Sequence, residues 1–145
     1  MRIYEPKTKA DFDKYYDLRW RILRKPWNQP EGSEKDELEG ESIHIAVAER
    51  DRIPIGVGRL HFNSHEEAQI RYMAVEEGLR SKGAGSLVLE ELEKKAKRKG
   101  AEYAVLNARE NAVGFYEKHG YEVIGKSHTL FGSVRHFRMR KYLSG

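Results

Sequence analysis

Apolar residues recur at helical spacing in two stretches of this chain and at alternate positions in several others. Phe12, Tyr15, Tyr16, Leu18, Ile22 and Leu23 return every three or four residues. They predict an amphipathic helix that Thr8 caps and that runs to about Arg24, preceded by a short strand at residues 2–4. Pro26 and Pro30 interrupt it, and Gln29-Pro30-Glu31-Gly32-Ser33 predicts a mobile loop, followed by at most a short acidic helix through Leu38. From Ser42 the period changes to two. Ile43, Ile45 and Val47 alternate, Asp51-Arg52 makes a turn, and Ile53, Ile55, Val57 and Leu60 return as the second arm of an antiparallel hairpin. A further turn at Asn63-Ser64-His65-Glu66 leads into a third strand, Ala68 to Val75.

After Gly83 the helical period resumes at Gly85, Val88, Leu89, Leu92 and Ala96, and Gly100 supplies the left-handed stop. Glu90, Glu91 and Glu93 each precede a lysine by four residues, so Lys94 to Lys99 is expected to be a solvated face. Tyr103 to Leu106 reads as a buried strand, Ala112 to Lys118 as a short helix and Tyr121 to Ile124 as another strand. Leu130 to Met139 reads as a long last strand with an exposed edge. The order is a mixed α/β arrangement rather than a doubly wound parallel sheet.

Composition narrows the chemistry. A chain of 145 residues is expected to form one domain, residues 1–145, with its site inside a single fold. No apolar run is long enough to cross a bilayer and the first residues lack a secretory pattern, so a soluble, cytoplasmic protein is expected. With no cysteine there is no disulfide, thiolate metal site or cysteine nucleophile, and thiol chemistry must arrive with a cofactor. The histidines at 44, 61, 65, 119, 128 and 136 lack the paired spacing of a metal site, so no metal is expected. Charged residues reach 34% while glutamine occurs only at 29 and 69, a bias found in heat-adapted proteins.

The stretch Arg80-Ser81-Lys82-Gly83-Ala84-Gly85-Ser86 lies between the third hairpin strand and the long helix. Glycines let a ligand approach the backbone, and the first helical turn offers free N–H groups at the positive end of the helix dipole, which suits a phosphate. Arg80 and Lys82 add two cations, which suits a pyrophosphate. A Walker loop would need Gly-Lys-Ser/Thr, and a dinucleotide loop would need three glycines after the first strand of a parallel unit. Neither fits.

Arg80-x-x-Gly83-x-Gly85 resembles the Arg/Gln-x-x-Gly-x-Gly/Ala signature of the GNAT acetyltransferases, with Met73-Ala74-Val75 as its preceding strand. Phe115-Tyr116-Glu117-Lys118-His119-Gly120-Tyr121 is similar to the family's later helix and turn, in the right order. The resemblance covers roughly Ile43 through Arg140. It implies an α/β (α+β) fold with a mixed sheet of about seven strands, the fourth and fifth parallel and splayed, flanked by about four helices. It also implies acetyl-CoA as cosubstrate. The backbone of Met73, Ala74 and Val75 would bond pantetheine, Ser81, Lys82, Gly83, Ala84, Gly85 and Ser86 would hold the phosphates, and Arg80 and Lys82 would neutralise them. Tyr116 would protonate the departing thiolate.

The family often has an asparagine seven residues before that tyrosine. Here Arg109 stands there, with Asn111 as the substitute contact and Asn107 spaced from Glu110 like a capping box. The reaction so implied is acetyl transfer to a primary amine of a small molecule or protein. Glu31, Glu34 and Asp36 are candidates to select a cationic amine, and His61 and His136 are candidates to face it. An acetyl-CoA-binding sensor without turnover is the alternative. A nucleic-acid-binding domain using Arg98, Lys99, Arg135, Arg138, Arg140 and Lys141 is a further one, although no nucleic-acid partner and no membrane partner are expected. The long last strand makes a homodimer a candidate assembly.

Overall fold

The computed structural model describes residues 1–143, and of Ser81 the backbone alone. Along these residues run β1 (Arg2–Tyr4), α1 (Lys9–Leu23), β2 (Ile43–Ala48), β3 (Pro54–Phe62), β4 (Glu67–Val75), α2 (Ala84–Arg98), β5 (Tyr103–Arg109), α3 (Val113–Lys118), β6 (Glu122–Leu130) and β7 (Val134–Tyr142). The strands form one seven-stranded sheet in the order β1-β2-β3-β4-β5-β7-β6, and only β4 and β5 pair in parallel.

The period-two strands bury residues on both faces because helices cover both. On one face Val88, Leu89 and Leu92 of α2 pack with Ile45, Val47, Leu60, Ile70, Leu106 and Met139, and Tyr116 of α3 joins the same cluster. On the other face Tyr15 and Leu18 of α1 pack with Ala46, Val57 and Ala74. The start of α1 is fixed by a reciprocal cap in which the Thr8 hydroxyl accepts from the Asp11 N–H and the Asp11 carboxylate accepts from the Thr8 N–H. Arg52 in the β2–β3 turn clamps that same carboxylate at 2.8 Å.

Three expectations are corrected. Three α-helices flank the sheet rather than about four, because residues 31–38 form turns and Glu39–Glu41 a single 3₁₀ turn. Here acidic side chains accept from nearby backbone N–H groups, Glu34 from Gly32 and Asp36 from Leu38, in competition with helical bonding. The last strand is not an edge, since β7 lies between β5 and β6 and the free edge on that side belongs to β6. Finally, β6 runs on from the expected Ile124 to Leu130, and as a largely exposed edge strand it needs no apolar alternation. The lysine pairing of α2 holds for Glu91 and Lys95, 4.0 Å apart, whereas Glu93 bonds Tyr121 and Lys141.

Candidate active site

The sheet opens at β4. Val57 pairs with Ala74 but Arg59 pairs with Arg71, so Tyr72 and Met73 together stand opposite Gly58 in a bulge. Tyr72 has φ 59°, a left-handed conformation that costs a non-glycine residue about 1–3 kcal/mol. Cations surround its ring, with the guanidinium carbons of Arg19, Arg71, Arg59 and Arg24 at 4.3, 4.5, 5.0 and 5.7 Å from the centroid. In place of a ladder bond at the bulge, the Gly58 carbonyl accepts from the Tyr15 hydroxyl at 3.0 Å.

Just before the bulge β4 leaves β5. The two pair only at Glu67–Tyr103, Ala68–Ala104 and Gln69–Val105, after which β4 bonds β3 alone and β5 bonds β7 alone. The gap between residues 70–75 and 106–109 is a cleft of about 330 Å³ whose walls include Met73, Tyr116, Asn107, Arg24, Arg109 and His136. A strand edge that has lost its neighbour leaves backbone N–H and C=O groups free to bond an extended amide chain.

At one end of β4 lies the glycine loop. Arg80–Lys82 form a 3₁₀ turn, Gly83 takes φ 85°, and α2 begins at Ala84 with no side-chain cap, so its first-turn N–H groups stay open. A Cβ on Gly83 would meet nothing within 4 Å, which leaves that face of the loop clear, whereas one on Gly85 would come to 3.3 Å from Val75 and 3.4 Å from Phe115. Gly83 therefore permits the turn and Gly85 permits close packing. Arg80 is exposed, and Lys82 makes a loose pair with Glu49 at 3.2 Å. The Ser86 hydroxyl bonds Nε2 of His119, whose Nδ1 donates to the Phe115 carbonyl. The side chain of Ser86 thus fixes α3 against the loop, and only its backbone N–H is open to a ligand. Ala84 is buried; of Ser81 only the 3₁₀ backbone is described.

Tyr116 lines the cleft from α3 and is 7% exposed. Burial pushes its phenol up from the ordinary value, so it keeps its proton at neutral pH. Asn111 is exposed on the 3₁₀ turn before α3 and is not part of the cleft wall, where Asn107 stands instead, its Oδ1 buried without a partner among the described residues. Asn107 caps no helix, because β5 continues through it to Arg109.

Of the two candidate histidines, His61 is turned to Arg59 and Asn63, away from the cleft wall. His136 lines it, 7% exposed and stacked on His128 with centroids 4.3 Å apart. Its Nδ1 donates to the Val134 carbonyl at 3.0 Å, which leaves Nε2 as the basic nitrogen. Burial, with the neighbouring His128, holds it below the ordinary imidazole value and hence neutral at pH 7.

The acids do not line the cleft. Asp36 pairs with Arg59 at 2.6 Å and Arg71 at 2.7 Å, Glu34 turns its carboxylate to the Gly32 N–H, and Glu31 is exposed. Of the basic residues considered for nucleic acid, Arg138, Lys141 and Arg135 lie near Glu67, Glu93 and Glu110 respectively. The sequence reading missed Arg24 and Tyr72 as members of the site, and took Arg109 only as a departure from a pattern. Positions so far apart along the chain carry no shared local signal.

The comparisons with known proteins agree with this geometry. The sequence profile of the Acetyltransferase (GNAT) family matches residues 12–121. The uncharacterised N-acetyltransferase YjcF of Bacillus subtilis is 36% identical over 129 residues, covering 89% of this chain and 90% of its own. A Lactobacillus plantarum protein superposes with a TM-score of 0.86 at 19% identity, covering 99% of this chain and 98% of its own. An aminoglycoside 6′-N-acetyltransferase solved with coenzyme A superposes with a TM-score of 0.82 at 19% identity, covering 100% of this chain and 98% of its own. The splayed strands, the glycine loop and the profile match lead to one conclusion: the chain belongs to the GNAT family of acetyltransferases.

Proposed function

We propose that this chain transfers the acetyl group of acetyl-CoA to a primary amine, by direct attack with both substrates bound. The observation that carries the reading is the parting of β4 from β5 after Gln69 and Val105, beside an uncapped glycine loop and with Tyr116 in the cleft wall. The clear face of Gly83 and the first-turn N–H groups of α2 fit a pyrophosphate, with Arg80 and Lys82 as flanking cations. The unpaired edge of β4 at Met73, Ala74 and Val75 fits the pantetheine amides. The relative solved with coenzyme A bound supports the same cosubstrate here.

In the reaction the amine nitrogen forms a bond to the thioester carbonyl carbon, the carbon–sulfur bond breaks, and the nitrogen loses one proton while the sulfur gains one. In this reading an N–H of the β4 bulge meets the oxyanion, a contribution of about 3–4 kcal/mol when such a donor is preorganised. Tyr116 holds its proton at neutral pH and donates it to the sulfur. Nε2 of the neutral His136 takes the proton from the amine.

A free-thiol assay with acetyl-CoA and a panel of amines tests the reaction, and Tyr116→Phe tests the acid. The variant keeps the ring contacts with Phe115 and Tyr121 and is expected to lower turnover about 10²- to 10⁴-fold with acetyl-CoA affinity unchanged. Unchanged turnover removes Tyr116 from the mechanism. Binding of acetyl-CoA without thiol release for any amine favours a sensor role.

A further inference from the structure

Two guanidinium groups of the cleft have no counter-charge. Arg24, at the end of α1, and Arg109, at the end of β5, both donate to one atom, the carbonyl oxygen of Leu23, at 3.1 and 2.9 Å. That shared acceptor holds them side by side. Arg24 spends one further N–H on the Ser33 carbonyl at 3.1 Å. Among the described residues no ion pair reaches either group, and no acceptor meets Nη2 of Arg24 or Nε and Nη1 of Arg109. The rest of the cleft wall adds Arg71, His128 and His136 but no aspartate or glutamate. Arg71 bonds Asp36 at 2.7 Å, a carboxylate it shares with Arg59. Glu34 pulls only weakly on Arg24 and spends its carboxylate on Gly32.

Burial of an arginine without a carboxylate is costly, and here burial lowers the proton affinity of both groups, while Arg24 opposes the charge of Arg109, and Arg71 and Arg19 oppose that of Arg24. The negative end of α1 offsets roughly half a charge, against two. Planar forks with open N–H groups facing a cleft are the arrangement that bonds a carboxylate or phosphate in bidentate fashion.

We propose that the acceptor amine carries an anionic group, a carboxylate or a phosphate, which binds between Arg24 and Arg109 and sets the amine toward the thioester. This rests on the acetyltransferase reading of the cleft. It sets the chain apart from an enzyme for polycations, since an aminoglycoside or polyamine would meet uncompensated like charge here.

The test compares matched acceptors by thiol release at saturating acetyl-CoA: L-alanine against L-alaninamide, glucosamine 6-phosphate against glucosamine, with spermidine and kanamycin as polycations. The expected result is a kcat/KM about 10- to 100-fold higher for the charged member of at least one pair, the pair identifying carboxylate or phosphate. In Arg109→Gln that preference collapses toward unity through KM, and in Arg109→Lys, which restores the charge but not the fork, only part of it returns. Calorimetry on the same variants reads acetyl-CoA affinity. Equal rates within both pairs, or a best rate with a polycation, overturn the proposal. So does a loss of acetyl-CoA affinity in Arg109→Gln, which would place the arginines in the cosubstrate's site. Failure of the unmodified protein to bind acetyl-CoA overturns the acetyltransferase reading, and this inference with it.

Discussion

Two pairs of arginines with little exposure to solvent lie on either side of α1's contact with the sheet, and they are handled in opposite ways. Arg19 and Arg59 are fully buried and paired with carboxylates, Arg19 to Glu39 at 2.9 Å and Arg59 to Asp36 and Glu39 at 2.6 and 2.7 Å, although the Nε of each is buried without an acceptor. Arg24 and Arg109, a few residues further along α1 and across the cleft, have only a carbonyl oxygen in common. The first pair fastens the 31–41 segment to the sheet, because the acids come from that segment and the guanidiniums from α1 and β3. The second pair fastens little and presents unused donors. Arginines that carboxylates reach act here as structure, and the pair that no carboxylate reaches is the one proposed to meet a ligand.

The contrast can be broken in four ways. The largest effect is expected for Arg59→Met, which leaves the partly buried Asp36 with Arg71 and Glu39 with Arg19 alone and is expected to cost about 3 kcal/mol, measured by denaturant unfolding. A loss below about 1 kcal/mol, as at an exposed pair, would mean that the network holds nothing. Arg109→Gln is expected to change stability by less than about 1 kcal/mol, or to raise it, because it removes a half-buried charge that no carboxylate pairs. A loss as large as that of Arg59→Met would erase the distinction.

Acid titration separates the two regions next. Burial alone would raise the Asp36 carboxyl, yet the bonds from Arg59 bring it down to about 2 from an ordinary 3.8. The unfolded chain then binds the proton first, so this contribution is full above pH 3.8 and is lost as pH falls through about 2. The cleft responds earlier. His136 is held below its ordinary 6.5 in the folded protein, so its contribution is full above pH 6.5 and declines as pH falls through the lowered value. The smallest expected effect is on the position of the activity profile. The acid limb of kcat should lie below pH 6.5, and a limb above it would remove His136 as the base.

What could be read in the sequence was local. Gly83 and Gly85 beside Arg80 identify the loop because a left-handed turn and a close approach need residues of one type at fixed spacing: Gly83 makes the turn, and Gly85 admits the close packing of Val75 and Phe115. Tyr116 was legible for the same reason, as part of a continuous helix and turn. The bulge at Tyr72 was not, because a tyrosine at φ 59° leaves no compositional trace. The arginine pair was not legible either, since positions 24 and 109 meet only through the Leu23 carbonyl. Arg24 and Arg59 look alike in a sequence, and only the presence of Asp36 and Glu39 beside one of them tells structure from site. The order of the last two strands escaped because alternation states that a strand exists, not which neighbour it takes.

The central claim is that the gap between β4 and β5, with its glycine loop, holds acetyl-CoA. Calorimetric titration with acetyl-CoA tests it most directly, on the unmodified protein and on Gly83→Val, whose side chain would project from the clear face of the loop at φ 85°. The account predicts saturable one-to-one binding by the unmodified protein and its loss in the variant. Absence of binding by the unmodified protein, or equal binding by both, would contradict it.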